Sequence, residues 1–236
     1  MSTRRPALAS SFVAALCLVT ATLLFASAPV AAQAVEGRDY RALKPPQPTS
    51  SPPGKIEVVE FFSYGCPHCN DFYPLLTAWL AKQPKDVFLK RVPVGFGRPQ
   101  WVNLARAYYA LLATGDLERL DGALFRAIHE EHLPLFDLGS LATWVGKHGG
   151  NADKFTNAYT SFGVNNETVQ ADQMVEDYQV TGIPTLAVNG RYVVLGQEAA
   201  ADEHAAFLEL LKTADKVIAM ARVQMHAAHP PAAERH

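Results

Sequence analysis

The stretch that decides the fold is Lys55-Ile56-Glu57-Val58-Val59-Glu60-Phe61-Phe62-Ser63-Tyr64-Gly65-Cys66-Pro67-His68-Cys69. Its first eight residues are β-branched and aromatic over a short length, the composition of a buried strand. Ser63-Tyr64-Gly65 reads as a turn. From Pro67 the pattern changes to a helical period: Phe72, Leu75, Leu76, Trp79 and Leu80 recur on one face, which predicts a helix to about residue 82. Pro67 suits the first helical position, where its missing N–H is not needed. Pro74 lies inside the run and predicts a kink.

Cys66 and Cys69 therefore sit three apart where a strand turns into a helix. A thiol at a helix N-terminus faces unsatisfied backbone N–H groups and the positive end of the macrodipole. Both favour thiolate over thiol. Pro67 cannot donate, so the amides of His68 and Cys69 are the expected donors, with His68 as a titratable, positively chargeable neighbour. Cys66 is expected to be the exposed nucleophile and Cys69, one turn in, its buried partner. A structural disulfide would close too short a loop to constrain the unfolded chain much. A zinc site would need two more Cys or His ligands, and there is no second C-x-x-C, so no metal is expected. A redox-active dithiol is the reading that the strand-to-helix context supports.

The wider composition agrees. The chain has 236 residues, 49% of them hydrophobic, and a formal net charge of −2. That length allows one domain or one domain with an insert. The near-neutral charge gives no electrostatic case for nucleic-acid binding. The third cysteine, Cys17, lies in residues 1–34, which hold no acidic residue. They begin with Arg4 and Arg5, continue through an apolar run over 12–26, and end in the small-x-small site Ala32-Gln33-Ala34. This is the pattern of a secretory signal peptide cut after Ala34. Roughly 15 apolar residues fall short of the ~20 that span a bilayer, but an uncleaved anchor stays open as the alternative. Export would place the two remaining cysteines in an oxidising compartment.

Residues 35–55 carry Pro45-Pro46-Gln47-Pro48 and Ser51-Pro52-Pro53-Gly54 and read as an extended lead-in outside the core. A second strand is predicted over 86–94. Short helices follow over 101–114, 117–129, 140–148 and 153–162, then a helix over 166–178. Strands over 182–188 and 191–195 flank Asn189-Gly190, a tight hairpin signal. A long helix over 200–221 precedes a tail, frayed from about 226. The segments are thus a signal peptide (1–34), a lead-in (35–55), a first α/β part (56–97), a helical block (98–165), a second α/β part (166–225) and a flexible tail (226–236). Trp101, Tyr108, Tyr109, Leu111 and Leu112 read as core of the helical block. His129-Glu130-Glu131-His132 reads as solvated surface. Asn166-Glu167-Thr168 reads as a helix start, not a glycosylation site.

Glu60-Phe61-Phe62-Ser63-Tyr64-Gly65-Cys66-Pro67-His68-Cys69 resembles the active-site strand and turn of the DsbA family of bacterial periplasmic thiol–disulfide oxidoreductases. Thr181-Gly182-Ile183-Pro184-Thr185 resembles that superfamily's cis-proline loop, and Val188-Asn189-Gly190-Arg191-Tyr192 the hairpin after it. The resemblance covers essentially all of 35–222. It implies an α/β thioredoxin fold: a central mixed sheet flanked by helices, with an inserted helical domain. It also implies a cis bond before Pro184, and a loop of Gly182, Ile183 and Thr185 whose backbone pairs with extended substrate beside Cys66. Glu60, a carboxylate in an apolar strand, would be a buried acid near Cys69 with Lys90 as its charge partner; an edge charge in solvent is the alternative.

The resemblance further implies an oxidant that introduces disulfides into reduced, newly exported proteins in the periplasm. It would act as a monomer, use no cofactor beyond the Cys66–Cys69 disulfide, and be reoxidised by a quinone-linked membrane protein like DsbB. The alternatives are a reductant or isomerase of the same superfamily, and a non-catalytic binder of unfolded chains.

Overall fold

The central strand β2 (Ile56–Phe62) is buried at every residue. Its β-branched and aromatic side chains cover both faces of a sheet that has helices on each side. Helix α1 (Pro67–Leu80) follows, then β3 (Val87–Pro93), which pairs with β2 in parallel. The intervening helix supplies the long crossover that parallel pairing requires. A computed structural model describes residues 33–196 and 201–228. The expected leader falls outside the described residues except for its last two positions.

A helical block follows β3: α2 (Pro99–Thr114), α3 (Leu117–His129), α4 (Leu138–Lys147), α5 (Ala152–Tyr159) and α6 (Phe162–Asp177). The chain then returns to the sheet as β4 (Thr185–Val188) and β5 (Tyr192–Val194) and closes with α7 (Glu203–Ala228). Asn189 and Gly190 both have positive φ, 54° and 62°, as the two-residue hairpin turn requires. With β1 (Tyr40–Ala42) the sheet has the order β1-β5-β4-β2-β3.

Strand β1 departs from the sequence reading, which placed 35–55 outside the core. Tyr40–Ala42 pairs antiparallel with Val194–Tyr192, and Leu43 behind it is 4% exposed. Farther on, Gln47 N donates to Gly190 O at 2.7 Å. The approach is so close that a Cβ on Gly190 would lie 2.1 Å from Gln47 O. The lead-in is thus an edge strand and a strap across the hairpin.

Other boundaries shift as well. Helix α6 starts at Phe162, capped by Ser161, so it begins inside the segment assigned to the helical block. Asn166 therefore lies within α6 and not at its start, and Thr168 is buried there. Helix α7 runs through Ala228, past the expected fraying point. Leu112 is 55% exposed instead of core, while Tyr108, Tyr109 and Leu111 are buried.

Two apolar clusters hold the sheet. Ile56 and Val58 pack with Phe72 and Leu76 of α1 and with Leu210, Leu211, Val217 and Ile218 of α7. Val59 and Phe61, on the opposite face by the period of two, join the larger cluster that extends through the helical block. Phe62, at the end of β2, meets Phe125 of α3 at 6.0 Å between centroids. The block is thereby anchored beside the turn that carries the cysteines.

The edge strand gives a stability prediction. Leu43→Ala removes a buried side chain from the lead-in and should lower unfolding free energy by about 2–4 kcal/mol. Urea denaturation measures it; an unchanged midpoint would return the lead-in to the solvent-facing role that its prolines suggest.

Candidate active site

Cys66 occupies the N-cap of α1, with extended φ and ψ (−95° and 119°), and Pro67 opens the helix. Ser63-Tyr64-Gly65 is a tight turn: Cys66 N donates to Ser63 O at 3.1 Å and Gly65 N to Ser63 Oγ at 3.2 Å. Trp101 of α2 lies against this turn, where a Cβ on Gly65 would come within 2.5 Å of its indole nitrogen. Trp101 is thus part of the site and not only core of the block. A shallow groove beside Cys66 is bordered by His68, Phe96, Arg98, Trp101 and the loop 181–183.

Both cysteines are free thiols. Cys69 is fully buried, and Cys66 is nearly so, at 4% exposure. The expected openly exposed nucleophile is instead a sulfur recessed at the groove floor. The Ile183–Pro184 bond is cis, and the Cys66 thiol points at Ile183 O, 3.9 Å away. Gly182 and Ile183 border the groove, and the Thr185 hydroxyl closes the loop by donating to Gly182 O at 2.7 Å.

The two sulfurs have opposite electrostatics. A hydrogen bond from the Cys69 thiol, reinforced by the backbone N–H groups of Cys69 and His68 and by the His68 charge, brings Cys66 from its ordinary 9.0 down to about 6, against the cost of burial. A drop of that size corresponds to about 4 kcal/mol in favour of the thiolate. Cys69 moves the other way. Burial, then the Cys66 sulfur, hold it far above the ordinary thiol range. One sulfur is prepared as an anion and the other is kept protonated.

His68 is 60% exposed, and its Nδ1 meets the Glu203 carboxylate at the start of α7. That hydrogen bond, and then the charges of Glu203 and Cys66, raise the pKa of His68. Glu203 was not legible as a site residue: it lies 135 positions away, and only the tertiary fold places it there.

Glu60 is buried in β2, as expected, but its partner is Arg91 and not Lys90. The parallel register sets Glu60 beside Arg91 and Lys90 beside Val59. Successive side chains leave a strand on opposite faces, so Lys90 projects away from Glu60. Arg91 also bonds Asp121 of α3, with its guanidinium 3.8 Å from the Phe62 ring centre. The Tyr64 hydroxyl donates to the same Asp121. Burial raises the Glu60 pKa, opposed by the charge and hydrogen bond of Arg91. His129, expected on the solvated surface, is half-buried with Nε2 at 2.7 Å from Tyr64 O.

A model of the family described as DSBA-like thioredoxin domain matches residues 89–207. The chain belongs to this family. It is 41% identical over 156 residues to the thiol:disulfide interchange protein DsbA of Burkholderia cepacia, covering 66% of this chain and 73% of that one. It is 38% identical over 206 residues to the DsbA of Bordetella parapertussis, covering 86% and 93%. Among solved structures, the oxidoreductase DsbA from Xylella fastidiosa superimposes with a TM-score of 0.73 at 35% identity, over 80% of this chain and 98% of that one. The likeness spans both halves of the thioredoxin fold and the helical block between them. It makes this chain a thiol–disulfide oxidoreductase.

The asymmetry of the sulfurs is testable by titration. Thiolate absorbance of the reduced protein should rise with a midpoint near 6 and an amplitude of one thiolate; a midpoint near 9 would contradict it. A depressed folded-state pKa contributes stability above the unfolded-state value and loses it as pH falls through the folded one. The reduced protein should therefore gain about 4 kcal/mol relative to the oxidised protein between pH 6 and 9.

Proposed function

We propose that this chain is a dithiol oxidant that introduces disulfides into reduced, newly exported proteins. The observation that carries the proposal is the unequal placement of the two sulfurs: Cys66 at the N-cap of α1 beside His68, where its pKa is lowered, and Cys69 fully buried one turn in, where its pKa is raised. Reducing the disulfide releases a stabilised anion, so electrons are drawn from substrate to enzyme. In the oxidised enzyme a substrate thiolate attacks the Cys66 sulfur. The Cys66–Cys69 bond breaks, a mixed disulfide with Cys66 forms, and Cys69 leaves. A second substrate thiolate attacks the substrate sulfur of that mixed disulfide, and Cys66 departs as thiolate.

Buried Cys69 is a poor leaving group unless it is protonated as it departs. Glu60 lies in the same buried region and supplies that proton, then recovers one from solvent. The carbonyl of Ile183, beside the cis bond to Pro184, faces the reacting sulfur. An extended substrate strand laid along Gly182, Ile183 and Thr185 would be held next to Cys66 by backbone hydrogen bonds. His68, whose pKa is raised by its hydrogen bond to Glu203, favours the Cys66 thiolate when it is protonated. No cofactor is needed beyond the chain's own disulfide.

The n/h/c pattern of residues 1–34 supports export by a cleavable signal peptide to the periplasm. There a monomeric enzyme would hand its electrons to a quinone-linked membrane protein like DsbB. The relatives' shared name, thiol:disulfide interchange protein, supports the exchange reaction itself.

Oxidised protein mixed with one equivalent of a reduced, unfolded multi-cysteine protein should end fully reduced, with one pair of substrate thiols lost per enzyme. If the enzyme stays oxidised and reactivates scrambled substrate only when reductant is added, the isomerase reading replaces this one. Glu60→Gln should slow reduction of the enzyme by substrate about 10²-fold, the usual scale of general acid catalysis. An unchanged stopped-flow rate would remove Glu60 from the mechanism.

A further inference from the structure

Among the described residues, the buried cluster around Glu60 holds two acids and one cation. Glu60 is fully buried and Asp121 is 8% exposed; Arg91 forms ion pairs with both. Two carboxylates against one guanidinium leave an uncompensated negative charge in a dry environment, which costs several kcal/mol unless it is neutralised by a proton. The cluster should therefore hold one proton, and the hydrogen bonds decide where it sits.

The bonding of the two acids is unequal. Both oxygens of Asp121 accept: Oδ1 from the Tyr64 hydroxyl and Oδ2 from Arg91 Nη1. A proton on either oxygen would remove the negative charge that these two donors stabilise. Glu60 accepts from Arg91 Nε through Oε2, while its Oε1, like Arg91 Nη2, is buried without a partner among the described residues. An unpartnered carboxylate oxygen in a dry core is the most unfavourable place for negative charge and the most favourable for a proton. The other titratable groups facing the cluster do not change this ordering. Tyr73 on α1 and Tyr108 on α2 are held protonated by burial, Cys69 is held as a thiol, and His129 meets the Tyr64 carbonyl.

We propose that Asp121, held by the Tyr64 hydroxyl and by Arg91, assigns the cluster's single proton to Glu60 and so keeps Glu60 a carboxylic acid that can donate to the Cys69 sulfur. Asp121 touches neither substrate nor sulfur; it is a positioning residue that acts through Arg91. The inserted helical block then does more than border a groove. It supplies, from α3, the charge that makes an acid of a residue in the central strand. In the reaction, the Cys66–Cys69 bond breaks as the substrate sulfur bonds Cys66, and the electron pair left on Cys69 takes the Glu60 proton. The resulting carboxylate is reprotonated from solvent before the next turnover. This inference rests on the proposed proton donation by Glu60.

The test is infrared difference spectroscopy of the oxidised protein against Glu60→Gln, which isolates the protonated Glu60 carbonyl stretch, followed from pH 5 to 9. In the wild-type protein the band should persist at neutral pH. In Asp121→Asn, Arg91 is left to Glu60 alone, and the midpoint of the band should fall by at least about one pH unit, a tenfold loss of proton affinity. Asp121→Glu should restore it. Tyr64→Phe, which keeps the buried ring and removes only the donor, should move the midpoint in the same direction and covers the case of a poorly folded Asp121→Asn. A wild-type band with no shift in folded Asp121→Asn or in Tyr64→Phe would overturn the proposal, as would a band absent from the wild type at neutral pH. If the band shifts as expected but Glu60→Gln reacts at the wild-type rate, Asp121 still assigns the proton, and the donation to Cys69 is what fails.

Discussion

The active site depends on two sulfurs set one turn apart at the start of one helix, one at its N-cap and one buried inside it. The neighbouring Cys69 thiol makes the largest contribution to lowering the Cys66 pKa, and the backbone of Cys69 and His68 adds to it. Burial, and then the Cys66 sulfur, keep the proton on Cys69. Neither effect works without the geometry around it. The helix must begin at Pro67, so that no N–H is wasted and Cys66 caps it. Cys69 must lie one turn in, against a strand with no exposed residue. The chemistry is therefore a property of the β2–turn–α1 unit, and the other elements hold that unit or set the charge around it.

Two supports come from far away in the chain. The return strand β4 brings the loop 181–185 to the sulfurs and presents the Ile183 carbonyl to Cys66. The helical block reaches back through Trp101 over Gly65, His129 on the Tyr64 carbonyl, and Asp121 on Arg91 and Tyr64. The inserted block thus shares the buried electrostatics of the thioredoxin core.

What the sequence revealed was what is local. The run 56–62 announces a buried strand by composition, Pro67 fixes the helix start, and Asn189-Gly190 fixes the hairpin. The C-x-x-C pair carries its own chemistry once placed there. What it concealed depends on register or on distant pairing. Lys90 and Arg91 are neighbouring cations, and only the parity of the β2–β3 register decides which meets Glu60. Strand β1 has three residues between Gly37 and Pro45, too short to show a period, and it exists because β5 offers it an edge. Asp121 left a signal that could have been used. Leu117, Leu124, Phe125 and Ile128 place the apolar stripe of α3 over its position, so a charge there had to be buried and partnered. Glu203 left none.

The central claim is that reduction of the pair produces one thiolate and one thiol at physiological pH. The most direct measurement is the reduction potential of Cys66–Cys69, from its equilibrium with glutathione, as a function of pH. Below the Cys66 pKa two protons accompany two electrons and the potential falls by ~59 mV per pH unit; above it one proton does, and the slope halves to ~30 mV. The account predicts that this break falls near pH 6. A single steep slope continuing up to pH 9 would mean that Cys66 is an ordinary thiol, and the oxidant mechanism built on it would not stand.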